Sequence, residues 1–239
     1  MRDLSELTSW DRLLKKILWS QLGDIKDKRI LDFGSGEGIT ANRFARDNQV
    51  VAVEPWEEML KNRWQDYDYR QIVGDVSALS EFGDGTFDVI FCHNVLEYIE
   101  DKAFVVKELG RVLKPGGFLS LVKHNRAGRV MQMAVLLDDM GKAHELLDGN
   151  DSAASKFGKI RYYEDDMVTG WCRELDLVDC MGIRTFWDLQ QNQEKHDQEQ
   201  WQDEMMRLEL RVCRMTFYGT FGTTTQIRLK KYFIMLHYI

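Results

Sequence analysis

The sequence has no paired-cysteine motif. Cys92, Cys172, Cys180 and Cys213 lie far apart and no C-x-x-C spacing occurs. That argues against a structural zinc site and leaves thiols as the expected state, so no metal centre is expected. Cys92 and Cys180 fall in predicted strands and read as small core filler. Basic excess is also absent: 32 Lys and Arg face 39 Asp and Glu, for a net charge of −7. A nucleic-acid footprint is usually basic; the whole-chain balance announces none, although a local patch is compatible with it. No segment approaches the ~18 continuous apolar residues of a membrane span. Residues 1–11 are polar and mixed in charge, and no apolar run leads to a small-residue cleavage site, so no secretory leader is expected. The expectation is a cytoplasmic protein with no membrane partner. Repeats and low-complexity tracts are missing, apart from a Gln/Glu-rich run near 189–204 that reads as a solvated helix face.

What is present is glycine at regular intervals. Ile30-Leu31-Asp32-Phe33-Gly34-Ser35-Gly36-Glu37-Gly38 is a short apolar run ending in Asp-x-Gly-x-Gly-x-Gly. A helix-like stretch, Ile39 to Asn48, follows, and Glu54 closes a second apolar run, Val50 to Val53. This is the layout of a β-α-β unit that holds a nucleoside. Glycines let the backbone approach a ligand, and the acid after the second strand is placed to accept from ribose hydroxyls.

Spacing separates two cofactor classes. In a dinucleotide fingerprint, G-x-G-x-x-G, the last glycine would fall at Ile39; the third glycine comes one position earlier, at Gly38. Asp32 sits where a pyrophosphate would approach, and a carboxylate there suits a cation better. S-adenosylmethionine carries an ammonium and a sulfonium. Ile72-Val73-Gly74-Asp75-Val76 then reads as a third strand ending in an acid. Gly85 to His93 is a fourth strand running into a helix start at Asn94–Ile99, and Leu113-Lys114-Pro115-Gly116-Gly117 is a turn into a fifth strand. These landmarks, in this order, resemble the class I S-adenosylmethionine-dependent methyltransferases over about residues 28–123. A nicotinamide-dependent oxidoreductase and a cofactor-binding protein without catalysis are the alternatives from other classes.

The expected fold is α/β: a doubly wound, seven-stranded, mostly parallel sheet of Rossmann-like methyltransferase type, with the last strand antiparallel and with helical insertions. Strands are expected near 29–33, 50–54, 70–73, 87–92 and 117–123, alternating with helices. Ligands then bind beyond the strands' carboxyl ends. Leu7, Trp10, Leu14, Ile17, Leu18 and Leu22 predict a helix over 3–22 with one apolar face. A helix from Val130 to Met140 and a polar loop from Gly149 to Gly158 are expected next. Then come a helix at 164–175, a strand at 177–186, an amphipathic helix at 189–214 and a final strand at 232–238. The organisation expected is one domain, 1–239, with an N-terminal helical cap (1–27) and substrate-side insertions at 124–160 and 188–222.

A narrower resemblance covers nearly the whole chain. Leu113 to Leu121 with Asn125 and Gly128, Gly182-Ile183-Arg184-x-Phe186-x-Asp188, and Leu208-Glu209-x-Arg211-x-Cys213-Arg214 are similar to the bacterial tRNA 5-carboxymethoxyuridine methyltransferase family. That family methylates the carboxylate of a modified wobble uridine. The resemblance implies a cofactor site at Asp32, Gly34, Ser35, Gly36 and Gly38. It sets Gly34 and Ser35 against the methionine part, Glu54 on the ribose, Asp75 and Val76 at the adenine, and His93 near the methyl donor. Two positions depart: the family's N-terminal arginine falls on Leu14, with Arg12 and Lys15 nearby, and its aspartate on the second strand is Glu54. A carboxylate acceptor is already anionic at neutral pH. It needs a positive group to hold it rather than a base. Asn125 and Arg184, with Arg211 and Arg214 behind them, are the candidates for positioning it. For a phenol or amine acceptor, His93 and His124 would be the candidate bases. The acceptor is then either tRNA or a small metabolite, the latter fitting the acidic balance.

Overall fold

The computed structural model describes residues 2–154 and 157–232. A 3-10 turn, Leu4–Glu6, leads into helix α1 (Ser9–Leu22), followed by strand β1 (Arg29–Phe33), α2 (Ile39–Ala45), β2 (Gln49–Glu54), α3 (Glu57–Leu60) and β3 (Arg70–Val73). Then come β4 (Phe87–His93), α4 (Lys102–Val112), β5 (Leu113–His124), α5 (Arg126–Met131) and α6 (Met140–Leu147). The rest is β6 (Ser152–Ala154), β7 (Gly158–Ile160), α7 (Met167–Trp171), β8 (Leu175–Ile183), α8 (Glu199–Val212), α9 (Thr216–Gly219) and β9 (Thr224–Lys231).

Seven strands pair in the order β3-β2-β1-β4-β5-β9-β8, and β6 and β7 form a separate antiparallel hairpin. The pairs β1·β2, β1·β4, β2·β3 and β4·β5 are parallel. β9 runs the other way. The Asn125 N–H donates to Thr223 O, and the Arg228 guanidinium lies over the Phe118 ring, so β9 is antiparallel to β5. Donation from Thr223 N–H to Arg184 O and from Tyr232 N–H to Glu174 O makes it antiparallel to β8 as well. The expected seven-stranded, mostly parallel sheet is therefore present.

The chain divides into two compact units: a core unit of 25–122, 163–179 and 227–239, and an accessory unit of 1–24, 123–162 and 180–226. The segments read as a cap and as insertions fall largely within the accessory unit.

In the core unit the central strands are near-continuous apolar runs because both sheet faces are covered. Leu31, Phe33, Val51, Val53, Ile90, Leu119 and Leu121 are buried in one cluster. Helix α4 lays Val105, Val106, Leu109 and Val112 into the same cluster. Its start is fixed by Asp101, whose side chain accepts from Phe104 N–H at 2.9 Å. Near its end Arg111 donates to the carbonyls of Phe82 and Leu79, which ties the helix to the turn after β3.

In the accessory unit α1 starts at Thr8, whose hydroxyl accepts from Asp11 N–H at 3.1 Å, and ends at Gly23 with φ of 77°. Its buried face is Leu13, Leu14, Ile17, Leu18 and Leu22, packed against α8. Met133, Ala143 and Leu146 form a small cluster of their own.

Several expected elements differ. The predicted helix over 3–22 begins only at Ser9, and Leu13 takes the buried place assigned to Trp10, which is 40% exposed. The predicted helix 130–140 is α5, a π turn at Gln132–Leu136 and a separate α6. The polar loop after it holds the β6–β7 hairpin. The helix expected over 164–175 spans only Met167–Trp171, and β8 begins at Leu175 rather than 177. The helix expected over 189–214 shrinks to Glu199–Val212 because 3-10 turns at Trp187–Leu189 and Gln193–Asp197 occupy its first half. The turn at 113–117 is an irregular, extended start of β5: Leu113 pairs with Phe87, the register shifts before Val89, and Gly116 has φ of 82°. The antiparallel strand between β5 and β8 is 224–231, not 232–238; residues 233–238 of that expectation lie outside the described residues. Cys92 is buried, but Cys180 is exposed on β8, an outer strand of the sheet, and fills no core.

Candidate functional site

In the core unit the glycine loop follows β1 directly and is held by β2. Gly34 and Ser35 donate their N–H groups to Val53 O at 2.8 and 3.1 Å, and Gly38 N–H donates to Ser35 O at 2.9 Å. Gly34, Gly36 and Gly38 have φ of 74°, 56° and 72°, a region that side-chain-bearing residues rarely adopt. Their reasons differ. A Cβ on Gly34 would run into Val95, and one on Gly38 into the Tyr69 hydroxyl; one on Gly36 would meet only Met59 Cε, at 3.4 Å. Two of the glycines thus answer to the protein's own packing, while at Gly36 only the flexible end of Met59 stands at contact distance. Tyr69 is fixed in turn by donation to Trp64 O at 2.6 Å, and burial pushes its pKa up to about 12.

Glu54 ends β2 buried, and its carboxylate joins two turns. One oxygen accepts from Gly36 N–H at 2.8 Å and the other from Trp56 N–H at 3.0 Å. Gly74 N–H donates to the Glu54 carbonyl at 3.1 Å, bringing the end of β3 alongside. Asp75 is exposed at the start of the next turn and accepts from Ser77 N–H at 2.9 Å; hydrogen bonding to Ser77 holds its carboxyl below the usual range. Val76 packs against the main core cluster. Asp32 lies buried in β1, in register with Ala52 and Phe91. The buried Cys92 thiol is pushed well above its ordinary range by burial, then by the charges of Glu97 and Asp32. Buried acids therefore surround the strand tips. His93 closes β4; its ring nitrogen lies 3.0 Å from Ser120 Oγ and the ring stacks on Phe91.

Sequence reasoning missed three residues here. Asn94 has φ of 55°, and its N–H donates to Val122 O at 2.7 Å. A strained residue at the carboxyl end of a central strand marks a site held by its surroundings, and Asn is the residue type that tolerates it. Glu97 is buried at 1% exposure, although the helix-start reading treated it as ordinary. Trp56, 46% exposed, follows the Glu54 clamp. The buried Ser35 Oγ and Asn94 Oδ1 have no hydrogen-bond partner among the described residues. Buried polar atoms rarely stay so. Unsatisfied polar atoms at Ser35 and Asn94 and the buried acids Asp32, Glu54 and Glu97 fit a cationic, hydroxyl-rich nucleoside.

In the accessory unit the central feature is Arg184, just after β8. It is 2% exposed and, at φ of 59°, a non-glycine residue in left-handed geometry. Its Nη2 donates to Thr223 Oγ1 at 3.1 Å and Thr224 Oγ1 at 3.3 Å and lies 3.4 Å from Asp188 Oδ2. The guanidinium sits 3.6 Å from the centroid of the Trp10 ring, and the Trp10 indole N–H donates to Asp188 at 3.1 Å. Nε and Nη1 are buried with no hydrogen-bond partner among the described residues. Burial pulls the Arg184 pKa down, opposed first by Asp188.

The loop after Arg184 is clamped by Glu209, whose carboxylate accepts from the N–H groups of Thr185, Phe186 and Trp187 at 2.8, 2.8 and 3.1 Å. Burial pushes that carboxyl up, against the three hydrogen bonds. Glycines make the supporting approach possible: a Cβ on Gly128 would strike Gly222, and one on Gly182 would strike Gly219. Asp188 and Glu209 lay inside the family-like segments, yet nothing in the spacing marks them as buried.

The other predicted residues are placed as follows. Asn125 spends its side chain on backbone: its oxygen accepts from Ala127 N–H at 3.3 Å, and its amide donates to Thr220 O and Gly222 O at 2.7 Å each. His124 ends β5, and burial, then Arg184 and Arg129, bring its pKa down to about 4. Arg211 and Arg214 are exposed at the end of α8. Among the described residues no acid, histidine or cysteine group could hold a metal ion, and no helix is long and apolar enough to cross a membrane.

Comparison with known proteins gives the cofactor. The family described as "Methyltransferase domain" matches residues 31–121. The tRNA 5-carboxymethoxyuridine methyltransferase of Escherichia coli K12 is 27% identical over 94% of this chain and 90% of its own length. The ubiquinone biosynthesis O-methyltransferase of Paracidovorax citrulli is 31% identical over 48% of this chain and 51% of its own. The crystal structure of an S-adenosylmethionine-dependent methyltransferase from Mesorhizobium loti shares the fold, with a TM-score of 0.57 and 14% identity, over 96% of this chain and 100% of that one. These likenesses favour S-adenosylmethionine over a nicotinamide cofactor. Residues 31–121 match a methyltransferase domain, and the chain is an S-adenosylmethionine-dependent methyltransferase.

Proposed function

We propose that this methyltransferase esterifies a carboxylate on a modified tRNA uridine, and that Arg184 holds that carboxylate. The supporting observation is the buried Arg184 guanidinium, whose Nε and Nη1 have no acceptor among the described residues. Asp188 supplies the counter-charge on the Nη2 side, and the two remaining buried donor atoms would be satisfied by the oxygens of an acceptor carboxylate. The relative from Escherichia coli, matched over nearly the full length, is a tRNA 5-carboxymethoxyuridine methyltransferase.

When bound, S-adenosylmethionine supplies a methyl group activated by the positive sulfonium. Asp32, Glu54 and the loop Gly34–Gly38 would hold it, Asp75 and Val76 being the residues proposed for its adenine and His93 the one proposed near its methyl group. Glu54 accepts from the ribose while holding Gly36 and Trp56 in place. Arg184 would hold the acceptor carboxylate through its planar fork. A carboxylate oxygen of the acceptor would take the methyl group, leaving the donor as the neutral thioether. No proton has to move, because the acceptor is ionised at neutral pH; alignment carries most of the acceleration. Asn125 acts through the backbone of 220–223 rather than on the acceptor. Arg211 and Arg214 are the outer positive groups.

A second reading, transfer to a phenol or amine of a small molecule, is favoured by the ubiquinone biosynthesis O-methyltransferase relative; His124, its pKa brought down to about 4, is a weak proton acceptor at neutral pH and adds no support as its base. The test is nucleoside mass spectrometry of tRNA from cells lacking the protein, followed by incubation of that tRNA with enzyme and labelled S-adenosylmethionine. A missing methyl ester that the enzyme restores is the expected result. Unlabelled tRNA beside a labelled small metabolite would replace the tRNA reading with the second one.

A further inference from the structure

The accessory unit carries a surface whose aromatic rings the proposed chemistry leaves unused. Residues 205–221 contain three arginines, Arg207, Arg211 and Arg214, and one acid, Glu209. That acid is fully buried on the backbone of 185–187, so the exposed charge of the segment is positive in a chain of net charge −7. Arg207 and Arg211, four residues apart on α8, share one helix face, and Arg214 lies in the turn that follows. Arg207 pairs with Glu204 at the surface, at 2.8 Å. The chain then exposes aromatic rings: Phe217 is 72% and Tyr218 40% exposed. The rings are not loose. Phe217 meets Tyr218 with centroids 5.3 Å apart at 89° and Phe221 at 5.8 Å and 76°, while Tyr218 meets Phe186 at 5.8 Å.

A phenylalanine held by neighbouring rings yet mostly in water gains little from burial. Open aromatic faces beside exposed arginines match unpaired bases on a phosphate backbone: bases stack on the rings and phosphates meet the guanidinium groups. The surface is also continuous with the Arg184 loop. Thr185 Oγ1 lies 3.5 Å from Tyr218 O, and Phe186 touches the Tyr218 ring.

We infer that Arg211, Arg214 and Phe217 form a docking platform for single-stranded RNA, with a loop base stacked on Phe217 and phosphates on the two arginines. This deepens the tRNA reading and rests on it for the identity of the RNA. The aromatic and basic chemistry itself concerns binding rather than methyl transfer.

The experiment measures anisotropy of a labelled hairpin RNA with an unpaired pyrimidine-rich loop, and of a blunt duplex, with wild-type protein, Phe217→Ala and the double variant R211A/R214A. The expected result is preference for the hairpin and a loss of roughly 5- to 150-fold for Phe217→Ala. The double variant should flatten the slope of log affinity against log salt by about 1.4. Both variants should keep the wild-type melting temperature and affinity for S-adenosylhomocysteine. Variants that bind the hairpin like wild type overturn the platform, as does a wild-type protein that binds no RNA. A Phe217→Ala change that alters only self-association in sedimentation marks a protein contact and overturns it too. Methyl transfer to tRNA is scored separately. Loss of hairpin binding in the variants, with no transfer by wild type, keeps the platform and removes the tRNA reading. Transfer with unimpaired variants keeps the tRNA reading and removes the platform.

Discussion

Replacing Glu54 by Gln changes almost no volume, so no cavity term enters and the effect is electrostatic. The native carboxylate accepts from Gly36 N–H and Trp56 N–H, one on each oxygen. The amide offers one oxygen and one NH2 group. One backbone N–H then faces a donor, and leaving a buried donor unsatisfied costs about 1–3 kcal/mol. The surviving hydrogen bond drops from charge-assisted to neutral, roughly half the strength. The loop contribution should appear without ligand, as a fall in melting temperature of about 2–12 °C for a chain of this size. Binding should suffer on top of that, because Glu54 is the charged acceptor proposed for the ribose hydroxyls. A rise in Kd of roughly 10- to 100-fold for S-adenosylhomocysteine corresponds to about 1.4–2.7 kcal/mol. Calorimetric titration checks the affinity, and differential scanning checks the loop. A lowered melting temperature with unchanged Kd would confine Glu54 to structure. No change in either would remove Glu54 from the site.

Gly38→Ala should lower the melting temperature more than Gly36→Ala, since the first new methyl strikes the Tyr69 hydroxyl and the second meets only Met59 Cε at 3.4 Å; thermal melts decide, and the reverse order would refute the packing argument. Gly36→Ala should instead weaken S-adenosylhomocysteine binding, measured by titration. Arg184→Lys keeps a positive charge but loses planar stacking on Trp10 and the divided donors, so turnover on the true acceptor should fall at least 10-fold, about 1.4 kcal/mol, with cofactor Kd unchanged; a large change in that Kd would displace Arg184 from the acceptor. His124 has its folded pKa lowered from 6.5 to about 4, so the folded state binds this proton more weakly than the unfolded one. Its stabilising contribution is complete above pH ~6.5 and is lost as the pH falls toward 4. Denaturant unfolding of His124→Asn should therefore show a shallower acid limb than wild type, and identical limbs would refute the assignment.

The residues proposed for the cofactor and those proposed for the acceptor differ in the sign of their buried charge. Near the glycine loop the buried side chains include the acids Asp32, Glu54 and Glu97, suited to a positively charged donor. In the accessory unit the buried Arg184 is balanced by Asp188 and shares its surroundings with Glu209. Removing Arg184 altogether would leave Asp188 buried without its main counter-charge, a class of change that costs several kcal/mol. That is why the lysine variant tests chemistry and the alanine variant would test folding.

The sequence by itself determined the alternation of strands and helices over 29–122 and the loop at Gly34–Gly38, because period and glycine spacing are local properties of the chain. It also placed Glu54 and Asp75 at strand tips, where topology alone sends a ligand. Past residue 124 the helix and strand ends were misplaced, since short segments such as α7 are fixed by what they pack against rather than by their own pattern. Only the tertiary structure decided that Gly34 and Gly38 answer to Val95 and Tyr69, that Asn125 is consumed by backbone, and that Arg184 is sealed under Trp10 with Glu209 beneath its loop. Those contacts join residues far apart in the chain, and burial, unlike periodicity, is a property of the neighbours and leaves no local trace in the residues it affects.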